Sequence, residues 1–245
     1  MALSQWMAAN GWPSCLANFF MNLSDIIDIA LQLTAVLIAV VFHEVAHGYI
    51  AFRLGDPTAK SLKRLSLNPI RHIDPIGTII LPGILALLKA PIFGFAKPVP
   101  VNPMYFKNPY QGMMWVAIGG PITNYILAAL SYGVLWIITR FDSLLLLKAF
   151  GERTELAEYG VFFLAIFFII NILLGTFNLI PIPPLDGSRV LAYFLPTPGR
   201  NLLRQIERYG LFIVLGLMAF GLLQNILEPI VDAALWMLEQ LINVS

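Results

Sequence analysis

The segment Phe42-His43-Glu44-Val45-Ala46-His47 sets two imidazoles four residues apart, with a carboxylate beside the first. On a helix, residues four apart share one face, so both rings can meet a single Zn²⁺ while Glu44 reaches a water on that metal. A catalytic zinc takes three protein ligands and keeps a fourth position for water, so a further ligand must come from elsewhere. Cys15 is the only cysteine, which excludes a Cys-rich metal site and an intramolecular disulfide framework. His72 is the only other histidine, and its basic loop makes a loop-structuring or surface role the simpler reading. Asp186 is the stronger candidate. It closes the run Asn178-Leu179-Ile180-Pro181-Ile182-Pro183-Pro184-Leu185-Asp186-Gly187, apolar apart from Asn178 until the acid itself. Standing alone, Asp186-Gly187 would read as an ordinary turn, and His43, Glu44 and His47 as a polar helix face packed on other helices.

The elements that must carry these residues are apolar. Hydrophobic residues make up 58% of the 245 and charged residues 12%, where a soluble domain is nearer a quarter charged, so the chain reads as a membrane protein. A net charge of +1 with no concentrated basic stretch argues against nucleic acid as a partner. Uncharged runs long enough to span a bilayer lie within Ser24 to Phe52, Gly112 to Thr139, Tyr159 to Phe177 and Tyr209 to Leu227. Ile76 to Leu88, broken by Pro82 and Gly83, and Ile230 to Val244, with Asp232 and Glu239, are ambiguous. The expectation is an all-α polytopic membrane protein with four firm and up to six transmembrane helices, a re-entrant segment at Ile76 to Leu88, and room for short membrane-associated β-strands. With no internal repeat or long polar insertion, residues 1–245 read as one membrane-embedded domain. No Lys or Arg precedes Arg53, so a cleavable signal is a poor reading and the first helix is expected to stay.

Lys and Arg set the orientation. Arg53 to Lys107 and Arg189 to Arg208 are the basic loops, which the positive-inside rule makes cytoplasmic, leaving the N-terminus outside. His47 lies six residues before Arg53, roughly 9 to 15 Å below that boundary at about 1.5 Å per residue. Under the same topology, Asn178 to Asp186 and Gly119-Gly120-Pro121-Ile122-Thr123-Asn124 reach the same leaflet. Ionisable groups at such depth are costly and are retained mainly where they pair or work.

With these motifs in place, the chain resembles the site-2 protease family of intramembrane zinc metalloproteases (peptidase family M50), in the compact bacterial form without PDZ or CBS domains. His43 to His47 matches the family's zinc motif, Asn178 to Gly187 its second motif, and Gly119 to Asn124 the Gly-rich motif of the intervening helix. The likeness runs from about Leu31 to Leu195, including Arg53 to Ala59 and Ala96 to Pro103. The resemblance implies one Zn²⁺ per chain held by His43, His47 and Asp186, with Glu44 as general base. It further implies that Asn178 stabilises the oxyanion and that Asn124 lines the active site or contacts substrate. The implied activity is endopeptidase cleavage within or near transmembrane segments of membrane-protein substrates, in the cell (inner) membrane with the site toward the cytoplasmic leaflet. Release of a membrane-held regulator and clearance of signal-peptide remnants fit equally.

Ala96 to Pro103 alternates apolar residues with proline, a pattern shared by an edge strand that pairs with an unwound substrate and by a Pro-rich surface loop. A metal or proton transporter would be expected to carry paired half-helices in repeated halves, and none is found. A catalytically dead scaffold would be expected to lose Glu44 or a ligand, and all are present.

Overall fold

A computed structural model describes residues 26–80, 97–141, 149 and 156–243. Its elements are α1 (Ile26–Arg53), α2 (Thr58–Ser61), α3 (Pro109–Phe141), α4 (Leu156–Leu179), α5 (Asp186–Phe194), α6 (Thr197–Glu207), α7 (Gly210–Ala219) and α8 (Leu222–Asn243), joined by short 3₁₀ and π turns. No strand occurs among the described residues.

Three helices, α1, α3 and α4, are long and apolar enough to cross a membrane, and they coincide with the first three expected spans. Charges at their ends suit the helix dipole: Asp28 in the first turn of α1, Glu158 in that of α4, and Arg53 and Arg140 in the last turns of α1 and α3. The fourth expected span, Tyr209 to Leu227, is not one helix. Its apolar run breaks after Ala219, where Gly221 takes φ +72°, a left-handed conformation that ends a helix. Residues 230–243 then belong to α8, which also contains Pro229. Among the described residues the count is therefore three spans, or four if the bent pair α7 and α8 is one, which does not confirm four firm spans and up to six. The π turn Pro75–Ile80 opens the expected re-entrant segment, whose remainder lies outside the described residues.

The chain divides into two compact units, 40–124 with 174–223, and 1–39 with 125–173 and 224–245. The first carries every candidate site residue. Its apolar packing includes Ala51, Phe106 and Val116, joined by Ile50, Val101 and Met113, and a second cluster of Ile180, Leu185, Val214 and Leu223. In the other unit Phe162, Ile166, Phe168 and Leu135 are buried, and Ser131 Oγ donates to the Leu164 carbonyl at 2.7 Å.

Around α1 one loop system is tied together by hydrogen bonds. The helix stops at Arg53, followed by Gly55 at φ +107°, and the Asp56 N–H returns to the Ala51 carbonyl at 2.9 Å. Asp56 is fully buried and accepts from the Thr58 N–H (2.9 Å), the Thr58 hydroxyl and the Asn102 N–H (2.7 Å). Arg64 donates to the Lys97 carbonyl at 2.8 Å, and the Lys97 N–H to the His72 carbonyl at 2.9 Å. Residues 97–102 belong to no strand: the Lys97, Val99 and Asn102 N–H groups go to the His72 carbonyl, Glu44 and Asp56, and Pro98 and Pro100 have none.

Candidate metal centre

Two neighbouring turns of α1 present His43 and His47, and the first residue of α5 presents Asp186. The two Nε2 atoms lie 2.9 Å apart, and Asp186 Oδ2 lies 3.1 Å from that of His43 and 3.2 Å from that of His47. The imidazoles meet edge to face, with centroids 4.5 Å apart. Both are buried and Asp186 is half-buried. These three form a group that could hold a metal ion.

The surroundings decide what the three inward atoms are. A neutral imidazole has one N–H and one lone pair. His43 Nδ1 lies 2.5 Å from Asn124 Oδ1, and His47 Nδ1 lies 2.7 Å from the Val116 carbonyl oxygen. Each oxygen needs a donor, so each proton sits on Nδ1 and each Nε2 turns a lone pair inward. In their neutral forms the two imidazoles therefore turn lone pairs toward the Asp186 carboxylate oxygen, an arrangement that a cation at that point would favour. Ligand atoms of a tetrahedral zinc with bonds of about 2.0–2.1 Å are about 3.3 Å apart, close to the spacing observed. The donor set thus fits zinc in type, protonation and spacing.

Asp186 arrives by close backbone packing. It opens α5, and a Cβ on the next residue, Gly187, would lie 2.2 Å from the Leu179 carbonyl oxygen and 2.6 Å from that of Ile180. The Asp-Gly pair is therefore a helix start pressed on the end of α4. Gly210, at the start of α7, is similarly close to Pro183 and Pro184, with a Cβ at 2.7 Å from the Pro184 nitrogen. At the far end of α5, Arg200 donates to the Ala192 and Tyr193 carbonyls at 3.0 and 3.2 Å, while its guanidinium covers the Tyr110 ring at 4.1 Å. Gly187→Ala cannot be relieved by a rotamer, since the obstacle is backbone. We expect it to lower stability by about 1–3 kcal/mol and to loosen Asp186, measured as a fall in Tm together with weaker zinc retention against a chelator.

Glu44 is half-buried beside the cluster, its Oε2 accepting the Val99 N–H at 2.8 Å. Asn124 is fully buried and stands behind His43, on the ring edge opposite the ligand atoms. Asn178 donates from Nδ2 to the Leu174 carbonyl of its own helix at 2.9 Å, a bond that uses one of its two amide hydrogens. His72 is buried apart from the cluster, with Nε2 donating to the Ser66 carbonyl at 2.8 Å, the loop-structuring place expected for it. The sequence reading missed the Val116 carbonyl and the Val99 N–H, which are main-chain groups without a residue signature. It noted Gly119-Gly120 only as a kink or a close-packing site. A Cβ on Gly120 would lie 2.5 Å from His43 Cε1 and 2.6 Å from His47 Cε1, so the position is specific to the two imidazoles.

Comparison with known proteins agrees with this chemistry. The family model of peptidase family M50 matches residues 31–221. YwhC of Bacillus subtilis, named as a candidate zinc metalloprotease, is 37% identical over 197 residues, covering 80% of this chain and 84% of its own. Rip2 of Mycolicibacterium smegmatis, similarly named, is 27% identical over 183 residues, or 74% of this chain and 64% of its own. Zinc metalloprotease MJ0392 of Methanocaldococcus jannaschii is 26% identical over 166 residues, 68% of this chain but 34% of its own. No solved structure matches.

Proposed function

The chain belongs to peptidase family M50, the site-2 protease type of zinc metalloprotease, and from that premise we propose that it cleaves peptide bonds within or near transmembrane segments of membrane-protein substrates. His43, His47 and Asp186 hold one Zn²⁺, and Glu44 is the general base. The observation that carries the reading is the convergence of His43 Nε2, His47 Nε2 and Asp186 Oδ2, 2.9 to 3.2 Å apart, one residue from a carboxylate. When bound, zinc supplies a water with pKa lowered to about 7 and polarises the scissile carbonyl.

The chain's own groups do the rest. Glu44 takes the proton from the attacking water and returns it to the leaving amide nitrogen. The Val99 N–H on Oε2 holds the carboxylate in one orientation while it does so. The Asn178 amide donates to the oxyanion, an effect worth roughly 10²- to 10³-fold for one donor. A substrate helix must unwind before its carbonyl can enter, because its peptide groups are already bonded to one another. The chain forms a single multi-pass domain of the cell (inner) membrane, with its N-terminus outside and its active site toward the cytoplasmic leaflet, as the placement of Lys and Arg supports. Release of a membrane-held regulator and disposal of signal-peptide remnants both suit such a site.

Elemental analysis of the detergent-purified protein tests the metal set. About one zinc per chain is expected in the wild type and well below half in Asp186→Ala, with loss of cleavage of a transmembrane reporter. A folded wild type without zinc, or undiminished zinc in the variant, would overturn the ligand set.

A further inference from the structure

Val116, Gly120 and Asn124 are spaced four apart and form one stripe on α3. All three meet the imidazoles: the Val116 carbonyl at His47 Nδ1, Asn124 Oδ1 at His43 Nδ1, and Gly120 between them, where a side chain would strike both rings. Resting on the zinc reading above, we infer that this stripe is a tautomer lock, and that Asn124 is a positioning residue that keeps His43 ready for metal instead of a substrate contact.

The two acceptors are unequal. A main-chain carbonyl can only accept, so His47 always carries its proton on Nδ1. His43 has a choice, because with its proton on Nε2 it could donate to Asp186 Oδ2, 3.1 Å away. That hydrogen bond would satisfy ligand by ligand and close the site without metal. Asn124 opposes it. As placed, its oxygen faces Nδ1 in a fully buried position, so the other tautomer would set two lone pairs against each other unless the amide turned over. Asn124 therefore destabilises the self-bonded metal-free arrangement relative to the metal-ready one, and removing its oxygen should weaken metal binding with His43, His47 and Asp186 all intact. Loss of such an outer partner costs about 10- to 100-fold in metal affinity.

The experiment is a chelator competition for Zn²⁺ on purified wild type, Asn124→Leu and Asn124→Asp, with the visible spectrum of each Co²⁺-substituted protein. Leu approximates the shape of Asn without an acceptor, whereas Asp keeps the oxygen. Asn124→Leu is expected to bind zinc about 10- to 100-fold more weakly and to give an altered cobalt spectrum. Asn124→Asp is expected to stay within a few-fold of the wild type with its spectrum preserved, a rescue that a merely space-filling role would not predict. Should Asn124→Leu fail to fold, Asn124→Ser, which withdraws the oxygen but keeps a small polar group, is expected to show the same weakening. Wild-type affinity in the Leu or Ser variant, or equal loss in the Asp variant, would overturn the lock. A wild type that binds no zinc would instead overturn the metal reading on which it rests.

Discussion

Glu44→Gln is expected to keep about one zinc per chain while turnover of a transmembrane reporter falls by about 10²- to 10⁴-fold. The substitution is close to isosteric, and the amide oxygen can still accept the Val99 N–H that Oε2 now receives, so loop and helix keep their places. His43, His47 and Asp186 are untouched. What disappears is the capacity to take a proton from water at neutral pH, since an amide oxygen is a far weaker base than a carboxylate. Paired measurement of metal content and single-turnover cleavage separates the two effects. Cleavage near the wild-type rate with metal bound would remove Glu44 as the base.

Gly120→Ala is expected to abolish both zinc binding and cleavage, although it alters no polar group. The new methyl carbon would sit 2.5 to 2.6 Å from ring atoms of His43 and His47, well inside van der Waals contact. Both rings are buried and held by second partners, the Asn124 oxygen and the Val116 carbonyl, so neither can swing aside without breaking a hydrogen bond. Overpacking costs about 1–3 kcal/mol in an ordinary core, and here the displaced groups are the ligands themselves. Gly133→Ala is the matched control on the same helix. Nothing lies within 4 Å of its Cβ position, and replacing a mid-helix glycine by alanine stabilises by about 0.5–1 kcal/mol. Stoichiometric zinc in Gly120→Ala would mean that the helix stands off further than described.

Much of the site was legible because it depends on side-chain type and helical spacing. His43, Glu44 and His47 announce themselves on one helix face, and Asp186 is conspicuous as the acid that ends an apolar run. The three long helices were readable from uncharged length alone. The break at Phe220–Gly221 was not, because glycine is common in membrane helices and hydropathy carries no record of φ. For Ala96 to Pro103 the alternation of Pro with apolar residues leaves an edge strand and a Pro-rich loop equally open. It cannot tell a strand from a segment whose N–H groups are taken by Glu44 and Asp56. Asn124 was identifiable as a site residue only through its motif, since nothing in one sequence says that its oxygen faces His43.

Asp56 gives the arrangement one more property. Its single buried carboxylate joins the turn after α1 to Asn102, and the segment thereby anchored is the one whose Val99 N–H grips Glu44. The hydrogen bonds described for that segment come from residues 44–72, whereas the third ligand reaches the centre from α5, more than a hundred residues later. Aiming the base and completing the ligand set are therefore separate tasks on separate mounts. Damage to one mount leaves a distinct fingerprint: a fully metallated but sluggish protein when the Asp56 tethers fail, and an empty one when the seat of α5 fails. Inactive variants of this chain can be sorted by that pair of signatures before any substrate is known.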